Sequence, residues 1–312
     1  MAHEVSIFII LIAIALVAIP RVIEASRDPM DDAARKDALG EFATLSQGIT
    51  HYSWFGPARG PVVVCIHGLT TPSFVWLSMV KGLSLMGFRV LIYDLYGRGF
   101  SDKVSGKQDA AFFMTQLNDL LAHERVGGDV TLIGYSMGGA IATLFAAGNT
   151  GKVRQLILLA PAGMGTVASP IVNFIAKTPM LGDWLMLALY PGSLRRGIKA
   201  ERAIPSTVDG IYDLQAKELE FRGFVPAVLA SLRGVLWRAL KDEHQAIHRA
   251  GIPVLSIWGG ADTVIPIAAV GTLAEWSRNA TQEVLEDAGH GLTYTHTEDV
   301  LRIIRENLPT AR

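Results

Sequence analysis

The 312-residue sequence predicts an α/β chain, a mostly parallel sheet of eight strands with helices on both faces. Three observations predict it. Short apolar runs alternate along the chain with segments of helical spacing. Several of those runs, "PVVVCI" and "VRQLILL" among them, are apolar nearly throughout, as strands covered on both faces are. Half of the residues are hydrophobic, enough for one large core with an inserted subdomain.

The first element stands apart. From Val5 to Pro20 the only polar side chain is Ser6. As a helix this run spans about 24 Å, and about 28 Å if carried to Ile23 with Arg21 reaching back to the interface, against about 30 Å of hydrocarbon. A cleaved signal peptide would begin with basic residues, but His3 and Glu4 precede the run, and "VIEAS" is a poor cleavage site. Residues 1–25 are therefore expected to be an uncleaved hydrophobic anchor in a membrane. A signal segment, cut to leave a secreted or periplasmic domain, is the alternative. Arg21, Arg27, Arg35 and Lys36 follow the run and favour a cytoplasmic location for what comes after. The charged stretch 26–40 is expected to be a linker.

Residues 41–162 supply the first part of the sheet. "EFATLSQG" and "ITHYSWFG" read as a hairpin, and "PVVVCIHG" as a buried strand ended by turn chemistry. "VWLSMVKGLSLMG" has helical spacing and stops at Gly87. "FRVLIYDLYGRG", "DVTLIG" and "VRQLILLAP" are further strands, with the amphipathic "DAAFFMTQLNDLLAHE" between the first two. From 163 to 249 no strand is evident, and helical, Leu-, Met- and Trp-containing segments are expected to form a lid. Such an insertion leaves the sheet at the carboxyl end of a strand, where open α/β sheets bind ligands. Residues 250–312 return to the alternation with "IPVLSIWG" and "TQEVLEDAG".

A formal net charge of −1 gives no basic field for nucleic acid. The single cysteine, Cys65, excludes an intrachain disulfide and reads as a small core residue. No His/Cys cluster of metal-ligand spacing is present, so neither metal nor organic cofactor is expected.

The chemistry concentrates in "DVTLIGYSMGGAIATLFAAG". A strand that turns into a helix within about one residue forces that residue into a strained backbone conformation. Gly134 and Gly138 leave room for close backbone approach, so Ser136 is held at the top of the sheet and at a helix N-terminus. A serine hydroxyl is a poor nucleophile without a base and a group that orients the base. His290, in "LEDAGHGLT" after the last strand, is the candidate base. Asp262, in "WGGADTVIP", is the candidate orienting acid. Asp94 more plausibly organises its own loop, and Asp287 is too close in sequence to buttress His290. Among the other histidines, His51 lies in the hairpin and His67 shapes a loop, while His123, His244 and His248 are expected to be solvated. The amides of Met137 and Leu69 are the candidate oxyanion donors.

These stretches, "HGLT" (67–70), "DLYGRGFSD" (94–102), "GYSMGG" (134–139), "GGAD" (259–262) and "GH" (289–290), resemble the α/β-hydrolase fold superfamily in its lid-bearing, monoacylglycerol lipase-like branch. The resemblance implies a serine hydrolase with Ser136, Asp262 and His290 as its triad. It does not name a substrate; the apolar residues of the lid segments and a membrane anchor point to a small-molecule ester with lipid-like acyl groups. A hydrolase of C–C bonds with the same triad, and a catalytically silent binding protein, are the alternatives. Nothing in the sequence sets the oligomeric state.

Overall fold

The computed structural model describes residues 2–165 and 169–308. Residues 166–168 of the expected lid, and the two chain ends, lie outside them. Helix α1 (Ala2–Ala25) and the one-turn α2 (Asp32–Arg35) precede the hairpin of β1 (Glu41–Leu45) and β2 (Gly48–Phe55). Then come β3 (Val62–Ile66), α3 (Leu77–Leu85), β4 (Arg89–Tyr93), α4 (Ala110–His123), β5 (Val130–Tyr135), α5 (Met137–Gly148) and β6 (Val153–Leu159). The next elements are α6 (Pro170–Lys177), α7 (Leu181–Glu201), α8 (Ile211–Lys217), α9 (Phe224–Arg233) and α10 (Lys241–Arg249). Among the described residues this stretch holds no strand. The chain closes with β7 (Val254–Gly259), α11 (Ala269–Trp276), β8 (Thr281–Leu285), α12 (Leu292–Thr295) and α13 (Thr297–Glu306).

The eight strands form one sheet in the order β1-β2-β4-β3-β5-β6-β7-β8. Strand β2 runs antiparallel to both neighbours, and every later pairing is parallel. Side chains alternate across the sheet, so β3 feeds two cores. Val64 and Ile66 pack with Phe113 and Leu117 of α4 and Ile141 and Phe145 of α5. Val63 and Cys65 pack with Met79 and Leu83 of α3 and Val300 and Ile304 of α13. Each fully buried aliphatic or aromatic side chain here is worth about 1.5–3 kcal/mol. Burial pushes the Cys65 thiol far above its ordinary range, which leaves it inert. Because the central strands are parallel, their carboxyl ends meet on one edge. Leu69, Ser136, Asp262 and His290 all follow strands at that edge.

The N-terminal segment is fastened to the rest of the protein. Trp184 Nε1 of α7 donates to Leu16 O at 3.0 Å, and Gly223 N donates to the Glu24 carboxylate at 2.7 Å. Backbone bonds join Asp28 to Glu220 and to Arg222 (3.0 and 2.9 Å). Further along, Arg35 Nε donates to Phe100 O (3.0 Å) and Arg35 Nη2 to Asp102 (2.6 Å). The expectation of a membrane-spanning anchor finds no support among the described residues. Among the described residues no helix is long and apolar enough to cross a membrane. The side chains of residues 9–14 lie outside those described, and near the carboxyl end of α1 Glu24 is buried and hydrogen-bonded.

Candidate active site

Strand β5 delivers Ser136 on a turn with φ 54° and ψ −118°, a conformation that L-residues adopt only where surroundings force it. The forcing groups are identifiable. Ser136 N donates to Leu159 O (3.0 Å), and its carbonyl accepts from Gly139 N (2.9 Å) and Ala162 N (3.0 Å). A Cβ on Gly138 would fall 2.0 Å from Ile66 O, and one on Gly134 would fall 2.4 Å from Gly138 O. Without side chains at those two positions the sharp turn closes.

Two further loops bring the partners. His290 Nε2 accepts from Ser136 Oγ at 3.0 Å, and His290 Nδ1 donates to Asp262 Oδ2 at 2.7 Å. The other carboxylate oxygen, Asp262 Oδ1, accepts from Val264 N (2.7 Å) and Ile265 N (2.9 Å), which fixes the acid. Tyr135 packs its ring on the imidazole, with centroids 5.3 Å apart. The structure thus brings together the three side chains that the sequence singled out.

The two expected oxyanion donors are the amides of Leu69 and Met137. Neither Leu69 N nor Met137 N has an acceptor among the described residues. The loop carrying Leu69 runs against the serine, since a Cβ on Gly68 would lie 3.3 Å from Ser136 Cβ. His67 holds that loop and is no base. Its Nδ1 donates to Gly68 O and its Nε2 accepts from Leu95 N, both at 2.8 Å, and burial lowers its pKa to about 4.

Asp94 lies at a different place. It accepts from Ser73 N (2.8 Å), Phe100 N (2.9 Å) and His51 Nδ1 (2.8 Å), and so organises the "DLYGRGFSD" loop. Burial alone would raise its pKa, but the hydrogen bond and charge of His51 outweigh burial and hold it well below the carboxylate range. Asp287 is exposed and lies 3.6 Å from His296. The expectation that His244 is solvated is corrected. It is fully buried near Trp276, and burial lowers its pKa to about 4, because α10 packs its His244 and Ile247 face inward on α5.

Arg98 escaped the sequence reading. It is completely buried. Its guanidinium donates to Leu69 O (3.1 Å), Tyr96 O (3.0 Å), Ala227 O (3.2 Å) and Ser231 Oγ (2.8 Å), so it ties the candidate oxyanion loop to α9. Burial lowers its pKa to about 10, which leaves it charged at neutral pH.

Above Ser136 and His290 is a cavity of about 460 Å³. Apolar residues of its lining include Met164, Val172, Ala176, Leu232, Leu236 and Trp237. Polar ones include Tyr190, Ser193, Glu201, Gln215 and Tyr294. The stretch between β6 and β7 supplies most of both sets. Among the described residues no group of three or more His, Cys, Asp or Glu side chains could hold a metal ion.

Comparison with known proteins fits this geometry. An uncharacterized protein of Mycobacterium tuberculosis (strain ATCC 25618 / H37Rv) is 30% identical over 244 residues, 74% of this chain and 70% of that protein. The monoacylglycerol lipase abhd6-B of Xenopus laevis is 26% identical over 255 residues, 76% of this chain and 72% of that one. A solved bacterial membrane phospholipase A superposes with a TM-score of 0.70 at 20% identity, covering 98% of this chain and 97% of its own, a likeness of fold. Residues 61–297 match the α/β hydrolase fold family, and the chain belongs to it.

Proposed function

We propose that this protein is a serine hydrolase that cleaves carboxylic esters through an acyl-enzyme. The observation that carries the reading is the unbroken relay Ser136 Oγ–His290 Nε2 (3.0 Å) and His290 Nδ1–Asp262 (2.7 Å) beside two amides that find no acceptor among the described residues. Ser136 Oγ attacks the ester carbonyl carbon as His290 Nε2 takes its proton. The carbonyl oxygen, now an anion, accepts from Leu69 N and Met137 N, and removing one such donor typically lowers turnover about 10²–10³-fold. Asp262 holds the ring and stabilises its charge. The proton then passes from Nε2 to the leaving alcohol oxygen as the C–O bond breaks. Water, deprotonated by the same nitrogen, releases the acid and restores Ser136.

The stretch from 163 to 249 acts as a lid over this chemistry, and the apolar lining takes the acyl group. Support for lipid-like acyl chains comes from Val172, Leu232, Leu236 and Trp237 in that lining and from the relative named as a monoacylglycerol lipase. A series of p-nitrophenyl esters of increasing chain length tests both parts. Medium chains are expected to turn over faster than acetate, and Ser136→Ala to abolish turnover. An optimum at acetate contradicts the acyl preference. Wild-type rates in Ser136→Ala contradict the mechanism.

A further inference from the structure

The cavity above Ser136 carries its charge on one side. Among the described residues that line it, Glu201 is the only carboxylate, and no lysine or arginine is present. Glu201 is the last residue of α7, a 21-residue helix, where its charge opposes the helix dipole. No hydrogen bond or ion pair joins its side chain to another described residue. Partial burial raises its pKa; the nearby His290 pulls the other way, and Asp262 adds to the rise. Glu201 is exposed to solvent while lining the cavity, and its charge is left without a partner among the described residues.

Its neighbours say which part of an ester it would meet. Ile198, one turn before Glu201 on α7, packs in one cluster with Tyr135 and Tyr294, and Tyr135 packs on the His290 ring, so Glu201 lies on the imidazole's side of the cavity. In the proposed reaction His290 Nε2 gives its proton to the departing alcohol, so the alcohol must sit on that side. The acyl chain then takes the apolar lining of Val172, Leu232, Leu236 and Trp237.

We infer that Glu201 marks an alcohol subsite that favours esters of cationic, ammonium-bearing alcohols and disfavours those of anionic ones. The inference rests on the serine-esterase reading above and names the leaving group of the same site. No bond is made or broken at Glu201, which acts as a fixed negative charge beside the reaction.

Three butyrate esters of similar shape test it at pH 8: the choline ester, the uncharged 3,3-dimethylbutyl ester, and an ester whose alcohol carries a carboxylate at its end. Each is measured on the full chain and on Glu201→Gln. Choline butyrate is intrinsically more reactive, so the quantity read is the change in the choline-to-dimethylbutyl ratio of kcat/KM. The ratio is expected to fall about fivefold in Glu201→Gln, the size of one partly exposed charge pair. The anionic ester should gain relative to the neutral one. Unchanged ratios overturn the inference, as does failure to hydrolyse any of the three by protein that a fluorophosphonate still labels at Ser136. Failure of that label overturns the parent reading instead, and the subsite with it.

Discussion

Two histidine–carboxylate pairs lie in this sheet, and they differ in one contact. His290 donates from Nδ1 to Asp262 at 2.7 Å, and His51 from Nδ1 to Asp94 at 2.8 Å. Opposite, His290 Nε2 meets the Ser136 hydroxyl at 3.0 Å, whereas His51 Nε2 meets the Leu39 carbonyl at 2.7 Å. A carbonyl only accepts, so the His51 ring must carry protons on both nitrogens to make its two bonds. Burial would lower the pKa of His51, but the hydrogen bond and charge of Asp94 outweigh it and raise the value overall. That ring is an occupied cation and cannot receive a proton. A hydroxyl can give one, so the His290 ring is free to act as a base. The residue types match in both pairs; under the proposed function, the atom facing Nε2 decides which pair does chemistry.

The largest break in the comparison should come at the imidazoles. His290→Gln is expected to lower kcat about 10⁵–10⁶-fold, as loss of a triad base does. His51→Gln should leave kcat within a few-fold. Steady-state kinetics on a p-nitrophenyl ester checks both, and comparable losses in the two variants would erase the distinction.

The acids come next. Asp262→Asn should lower kcat about 10⁴-fold, since the amide can no longer hold the productive tautomer, with little change in unfolding by urea. Asp94→Asn should do the reverse. Removing a buried charge partner typically costs about 3 kcal/mol, read from the urea midpoint, while the turnover of the folded fraction changes much less.

The smallest effect is a pH dependence of the N-terminal strap. His51 has a raised pKa when folded, so its contribution is full below the ordinary imidazole value and is lost as pH rises through the raised one. Asp94, held well below the carboxylate range, keeps its charge throughout. Amide protection around Leu39, corrected for intrinsic exchange, should therefore fall a few-fold as the solution is made alkaline. In His51→Gln it should be low at every pH. A wild-type profile flat across this range contradicts the doubly protonated assignment.

The difference between the pairs also explains what could be read in the sequence. Ser136 was legible because a strand, two small residues and a helix meet around it, and that local geometry leaves a pattern. His290 and Asp262 were legible as polar residues after strands, in an order that suits the serine. Arg98 was not, because an arginine in a glycine-rich loop is ordinarily exposed. Its burial depends on acceptors at Leu69, Ala227 and Ser231, distant in sequence. His244 was misread because "KDEHQAIHR" is polar overall, and only packing on α5 and α11 selects which face turns inward. Glu201 belongs to no motif; the cavity exists only once α7 lies across the sheet. At the N-terminus, the apolar run of α1 was legible as a helix, but its attachments at Leu16, Glu24 and Asp28 were not.

The central claim is that Ser136 is activated by His290 and not by any other imidazole. Its most direct measurement is the rate of fluorophosphonate labelling, with the adduct located by peptide mass spectrometry, in wild type, His51→Gln and His290→Gln. The account predicts a single adduct on Ser136, formed at similar rates in the wild type and His51→Gln and slowed by orders of magnitude in His290→Gln. An adduct on another residue, or equal rates in all three proteins, would contradict it.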